Sequence, residues 1–84
     1  MLQLLYFSWV RERTGTSEEQ ITLPDGIATV STLVGHLRAK NDRYAAAFED
    51  MKQIRIAVNQ RYVDPDAAIK DGDEIAFFPP VTGG

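Results

Sequence analysis

The sequence has no cysteine, and that single lack removes three chemistries. No disulfide, no thiolate nucleophile and no thiolate-ligated metal can be built, so any core must hold without covalent staples. Histidine is nearly missing too, with His36 the only one. Without a second imidazole or a thiolate, no ordinary transition-metal site can be assembled, and no metal is expected. Basic residues are outnumbered: nine Lys and Arg against twelve Asp and Glu give a formal net charge of −3. Nucleic acid calls for a basic stripe, and these cations are scattered, so no nucleic-acid partner is expected. No apolar run approaches the ~20 residues of a membrane-spanning helix, so no membrane partner is expected either. Met1-Leu2-Gln3-Leu4-Leu5-Tyr6-Phe7 lacks the basic n-region and small-residue cleavage site of a secretion signal. The expected location is the cytoplasm.

Catalytic constellations are equally scarce. Ser8, Ser17 and Ser31 have no partner base. Asp64-Pro65-Asp66 and Asp71-Gly72-Asp73-Glu74 superficially resemble calcium ligands, but they lack the twelve-residue loop pattern and read as turns. Gly26 and Gly35 form no phosphate-binding pattern. Nothing in the chain assembles a self-contained active site.

What is present is one small folded unit. The 84 residues leave no room for a second core, and a hydrophobic share of 44% is that of an ordinary globular domain. Alternation predicts a first strand over Leu2 to Trp9, with Leu2, Leu4 and Tyr6 on one side and Leu5, Phe7 and Trp9 on the other. Val10 to Thr14 reads as a helical turn closed by Gly15, and Glu19 to Leu23 as a second strand. Thr29 is a candidate N-cap for a helix to about Lys40, whose Val30, Leu33, Val34 and Leu37 form one apolar stripe. A second helix follows, Arg43 to Glu49, with Asp42 as its expected cap. Ile54, Ile56 and Val58 mark a third strand, Arg61-Tyr62-Val63 a fourth, and Glu74 to Phe78 the last. The expectation is an α+β fold of the β-grasp, ubiquitin-like kind, a mixed five-stranded sheet with one main helix packed on one face. Residues 1–78 would form the domain and 79–84 an extended tail. With the helix on one face, Leu5, Phe7, Ala57, Ala76 and Phe78 would look the other way, joined by Trp9 and Tyr62. That bare apolar area is a candidate docking surface.

The last strand runs into Pro79-Pro80-Val81-Thr82-Gly83-Gly84. Proline has no amide hydrogen for a sheet ladder, so pairing should stop at Pro79 and the chain should extend outward. In polyproline form the last six residues reach roughly 18 Å, at ~3.1 Å per residue. Glycines lack Cβ atoms, so Gly83 and Gly84 can thread a narrow channel and leave the final carbonyl open to a nucleophile.

Phe77-Phe78-Pro79-Pro80-Val81-Thr82-Gly83-Gly84, preceded by Asp71-Gly72-Asp73-Glu74-Ile75-Ala76, resembles the MoaD-type sulfur carriers, the small subunits of molybdopterin synthase. Leu5-Tyr6-Phe7, Val10-Arg11-Glu12 with Gly15, and Ala57-Val58-Asn59-Gln60 are similar to that family as well. The resemblance implies a carrier that is not catalytic alone and holds no permanent cofactor. A partner activating enzyme would use ATP to adenylate Gly84, and sulfur would then replace AMP to leave a C-terminal thiocarboxylate. Pro79, Pro80, Val81, Thr82 and Gly83 would thread the active site of the large subunit, which carries the catalytic side chains. The sulfur would pass to cyclic pyranopterin monophosphate in molybdenum cofactor biosynthesis. Phe7, Tyr62 and Phe78 are the expected partner-binding residues, and the family assembly is a heterotetramer with two copies of each subunit. Two alternatives stay open: a sulfur carrier for thiamine thiazole or cysteine synthesis, and a ubiquitin-like modifier that joins lysines through Gly84.

Overall fold

Leu2, Leu4 and Tyr6 are fully or almost fully buried, while Gln3 and Leu5 between them are half-buried. That alternation is strand β1, Leu2–Tyr6, in a computed structural model that describes residues 1–80. The chain continues as α1 (Ser8–Thr14), β2 (Glu18–Ile21), α2 (Val30–Arg38) and α3 (Asp42–Ala47). A single 3-10 turn at Met51–Gln53 leads to β3 (Arg55–Val58), β4 (Arg61–Val63) and β5 (Glu74–Phe78). The strands make one five-stranded sheet in the order β2-β1-β5-β3-β4. β1 and β5 are parallel neighbours, and the other pairings are antiparallel. This is the mixed α+β sheet of a β-grasp fold.

The first strand is shorter than its alternation suggests, because Ser8 takes a left-handed backbone at φ 54°. The chain turns there, the Val10 amide donates to the Phe7 carbonyl at 3.1 Å, and Val10 is driven fully into the core. Trp9 is therefore on α1 and not on the bare sheet face. Its ring packs at the edge of the core, with the Arg13 guanidinium 4.5 Å from its centroid. Gly15 closes α1 at φ 84°, and a Cβ there would run into the Arg43 guanidinium.

α2 begins as its sequence indicates. The Thr29 hydroxyl accepts the Thr32 amide at 3.2 Å, and the Thr32 hydroxyl accepts the Thr29 amide at 3.1 Å. Two otherwise orphaned helix-start amides are satisfied reciprocally. Val30, Leu33, Val34 and Leu37 are all buried, and Gly35 faces solvent. The cap of α3 is Asn41 and not Asp42. Asn41 keeps extended backbone and its Oδ1 accepts the Tyr44 amide at 3.1 Å, while Asp42 already lies in the first turn.

Beside the main helix α2, the two shorter helices supply side chains to the same core: Val10 from α1, the α2 stripe, and Tyr44 and Ala47 from α3 followed by Phe48. They meet Leu2, Leu4, Tyr6, Ile56, Ile75 and Phe77 from the sheet. Phe77 stacks on Tyr6 at 5.9 Å between ring centroids and meets Phe48 edge-on at 5.0 Å. Because α3 and Phe48 pack on this side, they do not fold over the opposite sheet face.

Candidate functional site: the bare sheet face and the end of β5

Side chains out of phase with the core define the other face, and the register arranges them in rows. Across the middle, Leu5 pairs with Ala76, Ala76 with Ala57, and Ala57 with Tyr62. One step nearer the end of β5, Phe78 stands opposite Arg55. Phe7 follows Tyr6, which is paired with Phe77, and its amide donates to the Phe77 carbonyl at 3.1 Å. One step the other way lie Gln20, Gln3 and Glu74, with Gln20 Nε2 donating to Gln3 Oε1 at 2.9 Å. The bare face is therefore polar where β5 begins and apolar where it ends.

The apolar end carries exposed aromatics. Phe7 is 47% and Tyr62 81% exposed, whereas Phe77, one residue from Phe78, is fully buried. The Tyr62 and Phe78 rings lie 5.7 Å apart at 45°. Beside them is a groove of about 540 Å³, to which Met51, Arg55, Tyr62, Pro65 and Phe78 contribute. Phe7, Tyr62 and Phe78, singled out in the sequence, thus share one face at one end of the sheet.

The start of β5 is locked from below. Asp73, only 5% exposed, accepts the Asn59 side-chain amide and the Lys70 backbone amide, each at 2.9 Å. Asn59 Oδ1 in turn accepts the Glu74 amide at 3.0 Å, and the Asn59 amide donates to the Glu74 carbonyl at 2.8 Å. Asn59 and Gln60 make the β3–β4 turn with positive φ of 51° and 70°, a geometry that suits the right-handed twist of a two-residue hairpin. β5 is thus fixed to the hairpin at one end and bonded to β1 and β3 along its length. It ends at Phe78, before Pro79 and Pro80, which are half-buried and donate nothing to a ladder. Of the threading and reacting positions, Val81, Thr82, Gly83 and Gly84 lie outside the described residues.

Two phenols with raised proton affinity lie on the covered side of the sheet. Tyr6 and Tyr44 both donate to Glu19 Oε2, and Lys40 stands 3.5 Å from Glu19 Oε1. Burial, reinforced by the Glu19 carboxylate, drives the Tyr6 phenol strongly upward and pushes Tyr44 up to about 12. Nothing in the sequence spacing pointed to this cluster, which needs the β1–β2 register and α3 in place. Sequence spacing does not single out Arg55 either; only its pairing with Phe78 puts it among the aromatics. Among the described residues, no group of three or more His, Asp or Glu could hold a metal ion, and no helix is long and apolar enough to cross a membrane.

Known proteins match the whole chain. Residues 4–84 match the ThiS family. The molybdopterin synthase sulfur carrier subunit of Escherichia coli is 46% identical over 84 residues, covering 100% of both chains. That of Haemophilus influenzae is 45% identical, also covering 100% of both. Among solved structures, a putative molybdopterin converting factor subunit 1 from Pyrococcus furiosus superposes with a TM-score of 0.76. It shares 35% identity, with 95% of this chain and 97% of that one covered.

Proposed function

The chain belongs to the ThiS family, and from that membership we propose that it is the sulfur carrier subunit of a molybdopterin synthase. One observation carries the reading. Central strand β5 delivers Pro79-Pro80-Val81-Thr82-Gly83-Gly84 from the edge of an uncovered aromatic face, in a chain matched end to end by carriers of that name.

The domain itself supplies presentation and docking. An activating enzyme joins the Gly84 carboxylate to AMP from ATP, releasing pyrophosphate. Sulfide-level sulfur then attacks the acyl carbon and AMP leaves, so that the acyl group keeps the sulfur as a thiocarboxylate. The aromatic end of the sheet, with Phe7, Tyr62 and Phe78, seats the carrier on the large subunit, and the tail enters that subunit's active site. There the sulfur passes to cyclic pyranopterin monophosphate. A dithiolene holds two sulfur atoms, so two charged carriers are consumed per product, which suits an assembly with two copies of each subunit.

The test is a reconstituted synthase with the activating enzyme, ATP and a sulfur donor. Intact mass should show one oxygen-to-sulfur exchange on the wild-type chain and none when Gly84 is deleted. The deletion should fold normally, because the last strand ends at Phe78, and should form no dithiolene product. Product formation by the truncated chain would end the sulfur-carrier reading. Branched conjugates on lysine in place of a thiocarboxylate would make it a modifier. A charged carrier that supplies only thiazole or cysteine synthesis would move it to another pathway.

A further inference from the structure

We propose that Arg55 selects the partner at the docking face, by pairing with a carboxylate that the large subunit brings into the groove beside Tyr62 and Phe78. This rests on the reading that the aromatic end of the sheet is the docking surface. Given that reading, Arg55 cannot be avoided. It stands opposite Phe78 in the register, lines the same groove as Tyr62 and Phe78, and projects from the same face. It is exposed, and among the described residues it has neither an ion-pair nor a hydrogen-bond partner. The bare-face strand positions otherwise carry only two charges, both acidic: Glu18 on β2, at the far edge, and Glu74 at the opposite end of β5.

Covering Tyr62 and Phe78 takes the guanidinium out of water with them. A buried charge without a counterion is strongly unfavourable, so a surface that covers this patch must supply the missing anion. A carboxylate fits best, since it accepts the guanidinium fork through two parallel hydrogen bonds. Asp64 also lines the groove but stands outside ion-pairing distance of Arg55 in the free domain. Arg55 is a docking residue and takes no part in the chemistry. Six tail residues separate Phe78 from the end of Gly84, roughly 18 Å when extended at ~3.1 Å per residue.

The experiment measures binding of the thiocarboxylated full chain to the cognate large subunit, with single-turnover sulfur transfer from the saturated complex. Arg55→Met keeps the apolar stem and removes the charge, so it should dissociate roughly thirtyfold faster or more. Arg55→Lys should fall between Arg55→Met and wild type, because an ammonium keeps the charge and loses the fork. Transfer within the saturated complex should be unchanged in both. Asp64→Asn should not weaken binding. Wild-type dissociation of Arg55→Met would overturn the inference, as would weakening by Asp64→Asn equal to that of Arg55→Met, which would make the counterion intramolecular. Tyr62→Ala and Phe78→Ala tell the two readings apart. If they weaken binding and Arg55→Met does not, only the inference fails. If neither aromatic variant weakens binding, the docking face itself is wrong.

Discussion

Phe77 and Phe78 are the same residue type, adjacent on the same central strand, yet they lie in different environments. Phe77 is fully buried between Tyr6 and Phe48, whereas Phe78 is half-buried beside the exposed Tyr62. The period of two puts them on opposite faces, and three helices close only one of those faces. On the closed face, apolar side chains meet apolar side chains, and every buried side-chain polar atom of the described residues has a partner. On the other, the same strands spend Leu5, Phe7, Ala76 and Phe78 where no element of the described chain covers them. A domain this small can scarcely leave apolar area unburied without a reason, because its core is its main source of stability. The surplus is the area that the proposed docking would cover.

Paired substitutions should break that symmetry of sequence most sharply. Phe77→Ala removes a ring with no solvent contact and should cost about 3–5 kcal/mol in urea denaturation. Against a total of roughly 5–15 kcal/mol for a domain, much of the protein could be left unfolded. Phe78→Ala should alter stability by about 1 kcal/mol or less, while large-subunit binding weakens by about 2 kcal/mol. Equal losses of stability in the two variants would mean that both faces are core, and the docking argument would fall.

Titration offers a second contrast, since the phenols with raised proton affinity lie on the covered face. Both Tyr6 and Tyr44 hold their protons more tightly in the folded state than the ordinary value near 10. The folded state then binds more protons than the unfolded state above that value. Their contribution is complete below pH 10 and is lost as pH rises toward 12 for Tyr44 and beyond for Tyr6. Thermal midpoints should fall through this window, and the fall should be shallower in Tyr6→Phe, which has no proton to lose. An identical alkaline slope in wild type and Tyr6→Phe would show that the cluster is not what the pH change reads.

Some of this was legible in the residues and some was not, for physical reasons. The α2 stripe is a periodicity within one helix and the Thr29 cap bonds a residue three positions on, and both stand where the sequence put them. β5 and its two faces follow from a period of two, which needs no tertiary information. The end of β1 was misjudged because Leu5, Phe7 and Trp9 continue an apolar alternation. The left-handed Ser8 breaks it only because Val10 gains a place in the core. Asp42 and Asn41 are both good caps, and local propensity does not choose between neighbours. At the candidate site, the aromatics were visible as surplus apolar residues. Arg55 was not, because an arginine between two isoleucines is what any half-exposed strand contains. Its meaning comes from the residue across the ladder.

The smallest expected effect lies on neither face. Gly35 is in the middle of α2, on its solvent side, with ordinary negative φ and nothing within 4 Å of where a Cβ would stand. Glycine in a helix interior leaves the unfolded chain more freedom than alanine does, and no packing at this position offsets that. Gly35→Ala should therefore stabilise the domain by about 0.5–1 kcal/mol, read as a higher urea midpoint at constant m-value. Because the position is remote from Phe7, Tyr62 and Phe78, affinity for the large subunit and sulfur transfer should both stay at the wild-type level. A loss of binding in a more stable Gly35→Ala domain would place a second contact on α2. The partner would then have to reach around the sheet edge, and the bare face could no longer be the whole docking surface.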